Sequence, residues 1–166
     1  MKFRTGGFDD IKNKLKEAGF REEWSSPETV AFYDAPNKEW RRKGATVRTK
    51  NIGGKTIFTV KQKIAGKFKS AIEKECAVDL PLSDFQEMLK IIGFEIALEY
   101  SKKRTHYSRG EYSVELDHIE EIGGKFIELE APSEGDLERL IAELGLQDLE
   151  PDIRSYGEII KEYRNK

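Results

Sequence analysis

The chain has a single cysteine, Cys76, among 166 residues. That excludes an internal disulfide and cysteine-built zinc modules. Histidine is nearly as sparse, and the two present, His106 and His118, have no second histidine or cysteine nearby at ligand spacing. His118 reads as a structural residue on the apolar side of its strand, and Cys76, on the less polar side of its own, as a small packing residue. There is no apolar run long enough to span a bilayer and no secretory leader, so a soluble, cytoplasmic protein is expected. Net charge is nearly absent. The 29 Lys and Arg against 31 Asp and Glu leave −2, which gives no overall pull toward nucleic acid or membrane. The basic runs WRRKG and SKKRT have no aromatics interleaved along a basic surface and read as solvated faces. A phosphate loop, a Gly-x-Ser-x-Gly elbow and a His-Glu-x-x-His helix are all missing.

What is abundant is balanced charge, 36% of residues against about 25% in an ordinary domain. Nine Phe, six Tyr and two Trp, with the aliphatics, suffice for a modest core. One domain over residues 1–166 is expected. A short extended start, MKFRT, precedes a helix over about residues 8–18, where Phe8, Ile11, Leu15 and Ala18 recur at helical spacing and Gly19 stops it. TVAFYDA reads as a strand, PNKEWRRKG as a polar loop, and ATVRTKN and KTIFTVKQK as strands joined by NIGG. KSAIEKECAVDL is a further strand. In LSDFQEMLKIIGF, Ser83 is the expected N-cap, and Leu82, Phe85, Met88, Leu89 and Ile92 form the apolar stripe of a second helix. FEIALEYSKKRTHYS is long enough for a strand that a bend is expected. It turns at Arg109-Gly110 into VELDHIEEIGGKFIELE, a hairpin with its turn at Gly123 and Gly124. PSEGDLERLIAELGL is a third helix, with Leu137, Leu140, Ile141 and Leu144 on its stripe, and a short closing helix starts near Ser155.

About eight strands without regular strand–helix alternation predict an α+β fold built on a mainly antiparallel sheet. Closure into an eight-stranded β-barrel would remove exposed edges, with helices packed on the apolar outside and a polar lumen. Side chains two apart on a strand share a face, so six strands present paired charges. The pairs are Arg48 and Lys50; Lys61 and Lys63; Glu73 and Glu75; Lys102 and Arg104; Glu115 and Asp117; Glu128 and Glu130. Any one pair alone reads as the solvated side of a half-buried strand. Their recurrence is the signal. On one lumen, the basic pairs make a cradle for a polyanion and the acidic pairs an oxygen-rich site for a hard divalent cation such as Mg²⁺ or Mn²⁺. That combination suits a small molecule carrying a triphosphate.

In order, these stretches resemble the CYTH domains, also called triphosphate tunnel metalloenzymes. VRTK resembles the family's Arg-x-Arg strand, FTVKQK its lysine strand, IEKE its Glu-x-Glu strand and KKRTHY its Lys-x-Arg strand. ELDHIEEIGGKFIELE is similar to the closing strand-turn-strand, with Asp117, Gly123, Phe126 and Glu128 at the characteristic places. EPDIRSYGEII resembles the Arg-Ser-Tyr tail of the class IV adenylate cyclase branch. The likeness covers essentially the whole chain. It implies phosphate contacts from Arg48, Lys50, Lys61, Lys102, Arg104 and Arg154, and metal or network roles for Glu73, Glu75, Asp117, Glu128 and Glu130. MKFR supplies only the end of the family's opening Glu-x-Glu-x-Lys: Lys2 fits the lysine, and nothing stands for either glutamate. Lys50 replaces an arginine, and Ala71 stands where a basic residue usually precedes Glu73.

The expected function is metal-dependent conversion of ATP to cyclic AMP and pyrophosphate, with Lys61, Arg104 and Glu128 carrying catalysis. The alternatives are an inorganic or organic triphosphatase, such as a thiamine triphosphatase-like enzyme, and a polyphosphate- or nucleotide-binding module without turnover. No specific nucleic acid or membrane is expected as a partner, and a homodimer is compatible with this class.

Overall fold

In a computed structural model, which describes residues 1–63 and 71–166, the chain forms eight strands and five α-helices among the described residues. In order they are β1 (Lys2–Thr5), α1 (Asp9–Glu17), β2 (Arg21–Asp34), α2 (Glu39–Arg42), β3 (Ala45–Ile52), β4 (Lys55–Lys63) and β5 (Ala71–Val78). Then follow α3 (Leu82–Ile91), β6 (Glu95–Arg109), β7 (Tyr112–Ile119), β8 (Gly124–Glu130), α4 (Glu134–Glu143) and α5 (Tyr156–Arg164). The sheet order is β1-β8-β7-β6-β2-β3-β4-β5, and the neighbours whose register is defined run antiparallel. Because β1 and β5 end this order, hydrogen bonds among the described residues do not close the eight strands into a ring. No helix among them is long and apolar enough to cross a membrane. The chain divides into two compact units, a terminal unit (1–26 and 102–166) and a central unit (27–101).

In the terminal unit, alternation sorts each strand into an apolar and an ionic side. Phe3, Val114, Leu116, Ile127 and Leu129 turn to one side, where they pack with Ile11 and Leu15 of α1 and Leu140 of α4. The i, i+4 spacing of Ile11 and Leu15 puts both on one helix face. Ser133 caps α4 by accepting from the Asp136 N–H at 3.1 Å, and Ser155 with Glu158 makes a capping box for α5. The β7–β8 turn passes through a single 3₁₀ turn (Glu120–Ile122) and Gly123 at φ 54°. The next residue, Gly124, is packed so closely that a Cβ there would lie 2.7 Å from the Phe126 ring.

The central unit has a smaller core: Ala31, Tyr33, Val47 and Leu89, with Phe58, Phe85 and Phe94 against it. The β3–β4 hairpin turns on Gly53 and Gly54, both at positive φ (56° and 84°), as a two-residue turn matched to strand twist requires.

Several expectations change here. Strand β2 begins at Arg21, well before TVAFYDA, because hydroxyls in the Ser-rich stretch bond across to β6. The hydroxyls of Ser25 and Thr105 lie 2.9 Å apart. The bend expected in the long strand does not interrupt β6. Part of the polar loop forms the single turn α2. Helix α3 starts at Leu82 with Pro81 as N-cap, and the Ser83 hydroxyl instead donates to Asp84. Its expected apolar stripe is only half used. Leu89 and Phe85 cover the small core, leaving Met88 (52%) and Ile92 (69%) exposed. Cys76 is exposed as well, because β5 is an end strand of the sheet. The start of the KSAIEKECAVDL strand, Lys69 and Ser70, lies outside the described residues.

Candidate active site

Opposite the apolar core of the terminal unit, register aligns the ionic side chains of four strands. Lys2 is level with Glu128, Glu128 with Glu115, and Arg104 with Asp117. Asp117 is fully buried and receives three hydrogen bonds: Arg104 Nε to Oδ1 at 2.7 Å, Arg104 Nη2 to Oδ2 at 2.6 Å, and Lys102 Nζ to Oδ2 at 3.1 Å. Arg104 Nη2 also donates to Glu128 Oε2 at 2.9 Å. Burial pushes the Asp117 pKa up, but the Arg104 hydrogen bonds and the charges of Lys102 and Arg104 outweigh it and hold the carboxyl below its ordinary range. Tyr156, at the start of α5, lies edge-on to Phe126 at 5.2 Å. The ammonium groups of Lys2 and Lys102 stand 4.4 and 4.9 Å from its ring centroid. Burial lowers the Lys2 pKa against the pull of Glu128. Burial and the charges of Asp117 and Glu128 raise that of Tyr156.

Glu115 differs from Asp117. One oxygen meets His106 Nδ1 at 3.1 Å, while Oε2 is buried with no hydrogen-bond partner. Burial raises its pKa; Arg104 opposes the shift, and Glu130 and Glu128 reinforce it. A buried carboxylate oxygen without a donor, among like charges, is costly as it stands.

The central unit holds the other predicted set on one face of β3, β4 and β5. Arg48 Nη2 donates to Glu73 Oε1 at 2.9 Å, Lys61 reaches Glu73 Oε2 at 3.0 Å, and Lys50 reaches Glu75 Oε1 at 2.9 Å. Thr59 also donates to Glu75, at 2.8 Å. Burial raises the Glu75 pKa, but the hydrogen bonds from Lys50 and Thr59 prevail and lower it. These pairs keep water contact, whereas Arg48 Nε is buried without a partner.

Of the sequence-predicted residues, the terminal unit gathers Lys2, Lys102, Arg104, Glu115, Asp117, Glu128 and Glu130 on one face of its sheet. The central unit gathers Arg48, Lys50, Lys61, Glu73 and Glu75. Lys63 closes β4, and its side chain lies outside the described residues. Arg154 points its guanidinium to Asp152 and Glu162, at 2.6 Å each. Lys2 donates to the Arg154 carbonyl. Sequence reasoning missed Tyr156, although the Arg-Ser-Tyr tail contains it, as well as His106 as the partner of Glu115.

The acidic residues divide when tested against a divalent cation. Asp117 and Glu73 have both oxygens committed to protein donors, and Glu75 has its Oε1 committed to Lys50 and Thr59. Glu115, Glu128 and Glu130 fit better, because the orphaned Glu115 oxygen and its repulsive neighbours are what a hard cation with oxygen ligands relieves. Among the described residues no three His, Cys, Asp or Glu side chains already converge as a metal cage.

Residues 1–156 match the family model for the CYTH domain. The chain belongs to the CYTH family. No curated protein sequence matches this CYTH chain, but solved structures do. A protein of Vibrio parahaemolyticus described as a candidate adenylate cyclase is 24% identical, with TM-score 0.78, covering 97% of this chain and 95% of that one. The PH1819 protein of Pyrococcus horikoshii is 26% identical, with TM-score 0.74 and 98% of each chain covered. HpAC1 of Hippeastrum, a candidate adenylyl cyclase described as having a dominant triphosphatase activity, is 16% identical, with TM-score 0.72 over 98% of this chain and 94% of that one.

Proposed function

We propose that this CYTH protein is a metal-dependent enzyme acting on triphosphates, of the class IV adenylate cyclase type. One observation carries the reading. Arg104, locked by Asp117 and bonded to Glu128, holds a planar cation in fixed orientation on a sheet face shared with Lys2, Lys102 and Glu115. Fixed cations stabilise charge as it develops, without reorganising during the reaction. In the cyclase reaction the 3′-hydroxyl of ATP attacks the α-phosphorus and pyrophosphate leaves. Arg104 and Lys102 would stabilise the charge gathering on the phosphate oxygens, with Arg48, Lys50 and Lys61 as further phosphate contacts. Glu115, Glu128 and Glu130 would hold Mg²⁺ or Mn²⁺. Held by these carboxylates, the cation would supply positive charge to neutralise the phosphate oxygens. The closed tunnel, a single domain over residues 1–166, is the proposed working form.

Release of the terminal phosphate is the second reading, favoured by the activity described for the Hippeastrum neighbour. The test is incubation with ATP and Mn²⁺, and separately with tripolyphosphate, resolving cyclic AMP from ADP and phosphate. Cyclic AMP supports the cyclase; phosphate from either substrate supports the triphosphatase. Binding of both compounds without product would leave a non-catalytic polyphosphate-binding module.

A further inference from the structure

On the ionic side of the terminal unit, an aromatic pair lies beside the phosphate-type cations. The indole of Trp24 stacks on the imidazole of His106, centroids 5.5 Å apart and planes 22° from parallel. The ring of His106 is oriented by its bond to Glu115. Trp24 nevertheless leaves 37% of its surface open.

Its backbone is not loose. The residues around it are fastened to β6: Tyr107 donates to Glu22 at 2.7 Å, Ser108 to Glu23 at 2.6 Å, and Ser25 shares a hydrogen bond with Thr105 at 2.9 Å. A large flat side chain is thus held open to solvent on a braced strand, with one ring already stacked and oriented. Rigid aromatic surface of this kind binds planar groups with little loss of side-chain freedom. His106 and Arg104 are two residues apart on one strand, so they share a face and are separated by about 7 Å. That is a separation a ribose can bridge, with phosphate at one end and base at the other.

We propose that Trp24 and His106 form a stacking platform for the aromatic heterocycle of an organic triphosphate, a nucleobase in the first instance, and so select nucleotides over inorganic polyphosphate. The inference rests on the triphosphate reading of the Arg104 face and adds the side chains that hold the base and discriminate among triphosphates.

The test compares ATP with tripolyphosphate on the full chain in Mn²⁺, by calorimetry for affinity and by the emission of Trp24 in a Trp40→Phe background. Trp24→Ala should weaken ATP binding about 10- to 100-fold and leave tripolyphosphate affinity unchanged. Trp24→Phe should restore most of the ATP affinity, and ATP but not tripolyphosphate should quench Trp24. Equal losses for both ligands, or none for either, overturn the platform while the triphosphate site stands. If the unsubstituted protein binds neither ligand, the functional reading falls and the platform with it.

Discussion

In the terminal unit Asp117 is sealed from water and takes three hydrogen bonds from Lys102 and Arg104, whereas in the central unit Glu73 and Glu75 meet Arg48, Lys50 and Lys61 with water still in reach. Both sets use charges two residues apart on neighbouring strands, so sequence spacing does not distinguish them. Burial does. Opposite charges about 4 Å apart attract by about 1 kcal/mol in bulk water and about 4 kcal/mol at an effective dielectric near 20. The terminal set is therefore a fixed frame whose cations already point in set directions. The central set consists of pairs worth about 0–1 kcal/mol each, which a phosphate can displace at little cost.

The sharpest way to break the contrast is Asp117→Ala. Two cations lose their buried partner, and stability should fall by about 3–5 kcal/mol, read from the urea midpoint. A loss near that of a surface pair would mean that Lys102 and Arg104 reach water. Next is Glu128→Gln, which should cut metal-dependent turnover by about 10²–10³-fold, the size of a lost electrostatic contact in a transition state, with the circular dichroism spectrum unchanged. Arg104→Ala should weaken tripolyphosphate binding far more than Lys14→Ala on α1, where Lys14 is half-buried and paired with Asp10; equal effects would remove Arg104 from the site. Glu75→Gln should cost no more than about 1 kcal/mol in the same unfolding assay, since its pairs are exposed.

The smallest effect is a matter of sign. The Asp117 pKa lies below its ordinary 3.8 in the folded protein, so its contribution is complete above that value and is lost as pH falls through the folded one. The Glu115 pKa lies above its ordinary 4.5. Its carboxyl is neutral in both states at low pH, and stability declines as pH rises through the folded value. Glu115→Gln should therefore stabilise the protein at pH 7 by up to about 1 kcal/mol and change nothing at pH 3. Thermal melts at the two pH values read the difference.

Alternation made much of this legible. Period two placed Arg104, Glu115, Asp117 and Glu128 on the side away from Val114, Leu116, Ile127 and Leu129, and register bears that out. The family likeness rested on the same residues. Partner choice was not legible, because it depends on which side chains burial brings together. Sequence left Asp117 between a metal and a network role, and only register, which sets it level with Arg104, shows its oxygens bonded to Arg104 and Lys102. Arg154 likewise matched a phosphate contact by position but lies within reach of Asp152 and Glu162. Trp24 escaped notice because Ser25, Ser26 and Pro27 look like strand breakers, and the hydroxyl bonds that continue β2 join residues far apart in the chain.

The tight packing at Gly124 reaches further than the turn it follows. A methyl group at that position would displace the Phe126 ring, against which Tyr156 rests edge-on, and it is over the Tyr156 ring that Lys2 and Lys102 sit. Gly124→Ala should thus dull triphosphate binding without touching a charged atom: an uncharged backbone position acts as the spacer that sets the height of two ammonium groups.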